Sequence, residues 1–524
     1  MGGRRRTREI LATLSGMLLA APAAGQSLID VTGYDFSIRI PDTGNVITGV
    51  ARISYRGEPR GGLRLDLVGL TVDSVREAGH ALPFTHDGQV ITIPSARSNP
   101  EDPLEVFYHG VPRDGLIIQT NARGRRSAFG DNWPERARNW LPTVDLPRDK
   151  AKVAFSVTAP KGWRVIANGL AADCRQTCWV ETRPVPTYTM VLGAGAFSVS
   201  RHRPVIHGAD TIPITVWTYP EDSAFADSGP FRRATEIVET MERLVGPFPY
   251  EKLAHVESST RYGGMENSTA IFYAEKPYVD RRMHEGVVRH ETSHQWFGDA
   301  VTEREWAHLW LSEGFASYFD LVIGAALDGD SVLTAGLARD ARDYFASKVT
   351  DRSLVDTAEH DPNKLLNENS YQKGAWVLHM LRGTVGDSAF FRGIREYYRV
   401  YRDSTALSSD FQQVMERAAG RSLDAFFQRW LWQPGYPRLD VRWRYEAADH
   451  RVRMDIEQTQ PEAWGVFRLP RLVIEAVSPA GVATRRVYAL DSRRTVAFLE
   501  ADVAPGAIHV DPDGRLLVQS TVSP

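Results

Sequence analysis

The five residues His290-Glu-Thr-Ser-His294 hold two imidazoles four positions apart with a carboxylate between them. On a helix, positions i and i+4 lie one above the other on one face. Both rings then reach a single ion at about 2.0–2.1 Å, and Glu291 stands beside that ion without binding it. Eighteen residues separate His294 from Glu313, a carboxylate in the largely apolar stretch Trp310-Leu-Ser-Glu-Gly-Phe-Ala316. Burying such a group is costly unless it is paired or bound to metal. His290, His294 and Glu313 together make the open three-ligand site of a catalytic zinc, with water in the fourth place. A closed structural site needs a fourth protein ligand, and the neighbouring sequence supplies none. The expected cofactor is one Zn2+ per chain. The expected chemistry is hydrolysis of an amide or related acyl bond, with Glu291 as the base that takes the proton from the attacking water. The plainer alternative is two helix-surface histidines around a solvated glutamate, and the placement of Glu313 weighs against it.

Two further clusters suit the same reaction. Gly263, Gly264, Met265, Glu266 and Asn267 form a run upstream of the zinc helix. Glycine lets backbone approach a ligand closely, and Glu266 adds a fixed negative charge. Tyr371, in Ser370-Tyr-Gln-Lys-Gly374, carries a hydroxyl suited to donate to a tetrahedral oxyanion. Taken singly, the first reads as a Gly turn and the second as a packing residue.

These residues need elements to hold them. The chain has 524 residues, 43% hydrophobic and 24% charged, enough for two to four domains with their own cores. Its 62 Lys+Arg against 65 Asp+Glu leave a formal charge of −3. That balance argues against coating nucleic acid or an anionic membrane. From Ile29 to about Ser200 the chain reads as short strands, such as the alternating Tyr34 to Ile40 and the strand-forming Leu104 to Tyr108. Turn signals at Gly33, Gly57, Gly79 and Gly88 divide them, as in a β-sandwich. After Pro213 to Trp217 the period becomes helical: Phe231 to Val245, Val287 to Gly298, Trp306 to Ile323, Tyr371 to Leu381, Phe390 to Tyr401 and Phe411 to Ala418. Gly435-Tyr-Pro437 ends that region, and alternation returns at Leu439 to Tyr445 and Val452 to Ile456. The fold class expected is multidomain α+β. An N-terminal β-sandwich spans 26–203, a mainly helical catalytic domain 204–434, and a small C-terminal β-sandwich 435–524.

Arg4, Arg5, Arg6 and Arg8 precede a short apolar run from Ile10 to Ala20 and the small residues Ala21 to Gly25. This is the pattern of a signal peptide over 1–25, cut after Ala23 or Gly25. The run is short for a membrane span. An exported protein, periplasmic or extracellular and free of the membrane after cleavage, is the expectation. Export places the two cysteines, Cys174 and Cys178, in an oxidising compartment. They flank three residues between two strand-like runs, which favours a structural disulfide over a redox or metal pair.

Together the motifs resemble those of the aminopeptidase-N-like (gluzincin) family of zinc aminopeptidases, relatives of thermolysin. The likeness lies in the G-x-M-E-N run Gly263 to Asn267, the H-E-x-x-H of His290 to His294, Glu313 after eighteen residues, and Tyr371 in a Y-x-K-G setting. It extends to Trp296-Phe-Gly298, to Arg138 to Pro142 with Asp145-Leu-Pro147, to Phe248-Pro-Tyr250 and to Gly435-Tyr-Pro437. The resemblance implies a thermolysin-like catalytic domain between the two sandwiches. It implies zinc on His290, His294 and Glu313, and Glu291 as general base and acid. Glu266 would hold the substrate's α-ammonium, Tyr371 would steady the oxyanion, and Gly264 and Met265 would line the first-residue pocket. Larger members carry a long C-terminal helical domain, whereas this sequence stops at Pro524, so a more open cleft is expected. The family also has a Gln or Glu in the first domain as a second amine anchor. Alignment puts Trp133 there, with Asp131 or Asn132 within a small shift.

The function expected is a zinc aminopeptidase acting on peptides with a free N-terminus. The alternatives are a thermolysin-type endopeptidase, an epoxide hydrolase such as one branch of the family adds, and a non-catalytic binding module that kept the fold. Oligomeric state and the preferred first residue are not legible in the sequence.

Overall fold

The computed structural model describes residues 29–59, 61–96, 102–174, 176–208 and 210–524. The segment read as a signal peptide lies outside the described residues. Period-two patterning builds the first sheet. Its centre holds β1 (Asp30–Arg39), β2 (Ile47–Arg56), β3 (Leu104–Gly110), β4 (Lys150–Thr158) and β5 (Thr177–Pro186), in the spatial order β5-β4-β1-β2-β3. Along β1 the side chains of Tyr34, Phe36 and Ile38 turn inward and Asp35 and Ser37 outward, as alternation requires. β1 runs parallel to β4 and antiparallel to β2. Four shorter strands, Arg164–Ala167, Leu192–Gly195, Arg126–Gly130 and Leu116–Thr120, form a second layer in that order. Cys174 and Cys178 are joined in a disulfide, at the hairpin where Leu170–Ala172 pairs with β5.

The middle region has a sheet of its own: β6 (Ser198–Arg201), β7 (Ile214–Thr218), β8 (Leu253–Ser258), β9 (Gly264–Met265) and β10 (Ala270–Ala274), ordered β6-β7-β8-β10-β9. β9 is the edge strand, so one side of its backbone is free to face a ligand. The second N-terminal layer packs on this sheet, with Phe129 edge-on to Phe272 of β10 at 5.6 Å. Helices cover the rest. α1 (Glu285–His294) and α2 (Trp310–Asp328) lie side by side. A π-helical turn, Asn369–Lys373, leads directly into α3 (Gly374–Val385).

The expected Trp306 to Ile323 helix is in fact a 3-10 turn at Trp306–His308 followed by α2. A helix at Ser331–Ala346 was not anticipated; it buries only Gly336, Leu337, Asp340 and Tyr344, too few for a clear apolar stripe. The C-terminal part contains β11 (Arg438–Glu446), β12 (Arg451–Gln458), β13 (Leu469–Val477), β14 (Ala483–Leu490), β15 (Arg494–Glu500), β16 (Ala507–Val510) and β17 (Gln519–Ser523). They form two sheets, ordered β15-β12-β11-β17 and β14-β13-β16. Among the described residues, no helix is long and apolar enough to cross a membrane.

Candidate metal centre and substrate cleft

α1 places His290 and His294 one turn apart, with their Nε2 atoms 3.1 Å from each other. α2 brings Glu313 beneath them, its Oε2 3.4 Å from His290 Nε2 and 3.3 Å from His294 Nε2. Tetrahedral ligands at about 2.0–2.1 Å from an ion stand about 3.3–3.4 Å apart, so the three atoms are spaced as ligands of one cation. Glu313 Oε2 is buried without a hydrogen-bond donor, a demand that a cation would meet. Burial works against ionisation of Glu313, yet His294 and His290 hold its carboxyl down at about 2. Arg289 fastens the two helices by pairing with Glu285 on α1 and Asp320 on α2, at 2.9 and 2.8 Å. His294 Nδ1 faces the Phe297 carbonyl at 3.2 Å and the Ser312 hydroxyl at 3.0 Å. A proton on Nδ1 directed at that carbonyl leaves the Nε2 lone pair for a metal. These residues fit a zinc ion in donor type, number and spacing.

The opposite wall is the loop that ends in β9. Gly264 lies against Glu291 so closely that a Cβ there would sit 2.2 Å from Glu291 Oε1. A side chain at this position would displace the Glu291 carboxylate. Glu266 is 6% exposed. Burial pushes its carboxyl up to about 7, with His294 opposing and Glu313 adding to the rise. Burial likewise raises Glu291 well above the usual carboxylate range. Gln295 donates from Nε2 to the Glu266 carbonyl at 2.8 Å and to Asp299 at 2.7 Å, and accepts from the Thr269 amide at 2.8 Å. It thus locks the loop to the end of α1. The sequence held a signal for this role: Gln295 is four residues after Glu291 and shares its helix face.

Tyr371 completes the cleft. Its ring lies 6.0 Å from that of His290, nearly parallel. The π-helical turn that carries it rests on α2 through two glycines. A Cβ on Gly314 would meet the Gly374 Cα at 2.8 Å, and the reverse holds at the same distance. The paired glycines bring the backbones bearing Glu313 and Tyr371 into contact.

The cleft is lined by Trp133, Tyr262, Gly264, Met265, Glu266, His290, Glu291, His294, Glu313, Leu366 and Tyr371. Two residues expected to bind substrate stand apart from it. Asn267 is fully buried and Gly263 is exposed, with its carbonyl accepting from the Ala274 amide. Asp131 and Asn132 do not supply a second amine anchor. Asp131 is buried against Arg136 at 3.1 Å and accepts from the Thr260 hydroxyl at 3.2 Å. Asn132 donates to the Met190 carbonyl and accepts from the Trp140 indole. Trp133 faces the cleft in their place. Tyr262 and Leu366 were not foreseen as lining residues, since only tertiary contact brings them there.

Residues 232–430, which include both histidines, Glu291, Glu313 and Tyr371, match the Peptidase family M1 domain. The chain carries an M1 peptidase domain. A probable aminopeptidase 2 of Sulfurisphaera tokodaii is 30% identical over 479 residues, covering 86% of this chain and 59% of that protein. A leucyl aminopeptidase of Saccharolobus solfataricus is 26% identical over 495 residues, covering 86% of this chain and 58% of that one. The chain thus spans under two thirds of the length of these relatives. The crystal structure of an M1 zinc metallopeptidase from Deinococcus radiodurans superposes with a TM-score of 0.67 at 25% identity, covering 78% of this chain and 94% of that one. Legionella pneumophila aminopeptidase A gives a TM-score of 0.77 at 16% identity, over 94% of this chain and 59% of that one; this likeness concerns the fold. The M1 domain here lies between β-sheet regions, the arrangement expected from the sequence.

Proposed function

We propose that the protein is a zinc aminopeptidase that removes N-terminal residues from peptides. The observation that carries this reading is one cleft in which a three-ligand centre, a base and a separate buried carboxylate converge. His290, His294 and Glu313 would hold one zinc ion, which supplies Lewis-acid polarisation of the scissile carbonyl. Glu291 takes a proton from the attacking water and returns it to the leaving amine. Tyr371 donates its hydroxyl to the developing oxyanion. The free edge of β9 pairs with the substrate backbone. Glu266 receives the α-ammonium, and this ion pair fixes the distance from the chain terminus to the reacting bond. Burial favours the pair, because a lone carboxylate in that place is costly and a cation relieves it.

The substrates are peptides with a free N-terminus; nucleic acid is not a partner. The protein is read as exported, on the basic-apolar-small pattern of residues 4–25 and the oxidised Cys174–Cys178 pair.

The test is a set of amino-acid anilides, free and N-acetylated, with and without a chelator. Turnover of the free forms only, abolished by chelation and restored by zinc, is expected. Equal turnover of free and acetylated forms would instead identify an endopeptidase.

A further inference from the structure

We propose that Trp133 forms the wall of the first-residue subsite and that this subsite selects peptides with a large apolar N-terminal residue. The proposal rests on the aminopeptidase reading above and names its substrate class. Trp133 lines the same cleft as the candidate metal ligands, yet it is only 3% exposed. Its ring is held edge-on by Tyr262 at 5.8 Å and by Trp306 at 5.5 Å. Trp306 is itself anchored, its indole N–H donating to Glu135 at 3.0 Å. The Trp133 carbonyl accepts from Arg136 Nε at 2.6 Å. An aromatic side chain so fixed shows the cleft a small part of its ring, whose ordering is complete before substrate arrives.

Charge decides which side chains this surface accepts. The carboxylates of the cleft, Glu266, Glu291 and Glu313, already serve the amine, the proton and the ion. Apart from Gly264, the histidines and Tyr371, the remaining wall consists of Trp133, Tyr262, Met265 and Leu366. Arg136 behind it is spent on Asp114 at 3.0 Å and Asp131 at 3.1 Å, and Arg261, beside Tyr262, pairs with the same two carboxylates. A Lys, Arg, Asp or Glu side chain at the first position would enter without a partner and lose its hydration. A Leu or Phe side chain gains contact with four apolar or aromatic neighbours. A site of this kind favours it over Ala by about 10- to 100-fold in kcat/KM.

The experiment measures kcat/KM of the zinc-loaded enzyme for Phe, Leu, Ala, Arg and Glu p-nitroanilides, for the wild type, W133A and W133F. Phe and Leu are expected to exceed Ala by about 10- to 100-fold, with Arg and Glu below both. W133A should collapse the Phe-to-Ala ratio, and W133F should restore most of it. If W133A does not fold, W133F and W133L report the same ratio. A wild-type preference for Arg, Glu or Ala overturns the proposal, and so does an equal loss on all five substrates in W133A. Either result leaves the aminopeptidase reading intact. Cleavage of N-acetylated peptides without release from any free anilide overturns both.

Discussion

The cleft has two walls built in different ways. The metal wall comes from α1, α2 and the π-helical turn, and its ligands are fixed by helix geometry within 24 residues of chain, from His290 to Glu313. The amine wall is assembled across a seam. Trp133 reaches it from the N-terminal region with Asp131 buried behind, while Thr260 and Tyr262 precede the Gly263–Asn267 run, and the Thr260–Asp131 hydrogen bond spans 129 positions. The first wall is set by local periodicity and leaves little room for variation without loss of the ion. The second depends on tertiary packing, so its side chains can vary while the three metal-ligand positions stay in place.

The sharpest way to break the comparison is on the metal wall. E291A is expected to lower kcat by about 10²- to 10⁴-fold, the range of a lost general base, with zinc content unchanged by metal analysis. Activity near the wild-type level would remove Glu291 from the reaction. A smaller effect is expected from G374A. Its new Cβ would press on the Gly314 Cα at 2.8 Å and push Tyr371 from its place. A fall of about 10²-fold in kcat with KM and zinc affinity little changed is expected, since a displacement of about 1 Å costs that much. Parallel loss of zinc would show that the glycines support the ligands and not the tyrosine.

The smallest effect tests the amine side. Glu257, on β8 just before the loop, accepts from the Tyr219 amide at 2.9 Å and is fully buried. Burial, opposed by that amide and reinforced by Asp222, pushes its carboxyl up to about 9. The folded state therefore keeps the proton longer than the unfolded chain does. The associated stability is complete below the ordinary pKa of about 4.5 and is lost as pH rises through about 9. E257Q, which cannot ionise, should lie close to the wild type near pH 5 and exceed it by several kcal/mol near pH 9 in denaturant melts. An equal difference at both pH values would refute the titration.

The difference between the walls also explains what was legible. His290, Glu291 and His294 could be placed from spacing, because i and i+4 share a helix face, and Glu313 from its place as a carboxylate in an apolar stretch. Tyr34, Phe36 and Ile38 announced their strand for the same reason, with a period of two. Tyr262 and Leu366 carry no such pattern. Asp131 and Asn132 had the right chemistry for an amine, but Arg136 and the Met190 carbonyl already occupy them. Spacing cannot reveal a partner more than a hundred residues away, as Thr260 is from Asp131. The π-helical turn was read as ordinary helix, because its apolar spacing differs little from that of the helix it begins.

Lys252 carries a consequence for motion. Its ammonium, 4% exposed, donates to the Ala167 carbonyl at 2.9 Å on the N-terminal side and to the Thr269 carbonyl and hydroxyl at 3.2 and 3.0 Å on the catalytic side. Prising these regions apart would break all three of these hydrogen bonds together, at about 1 kcal/mol or more each. The seam therefore behaves as a weld and not as a hinge.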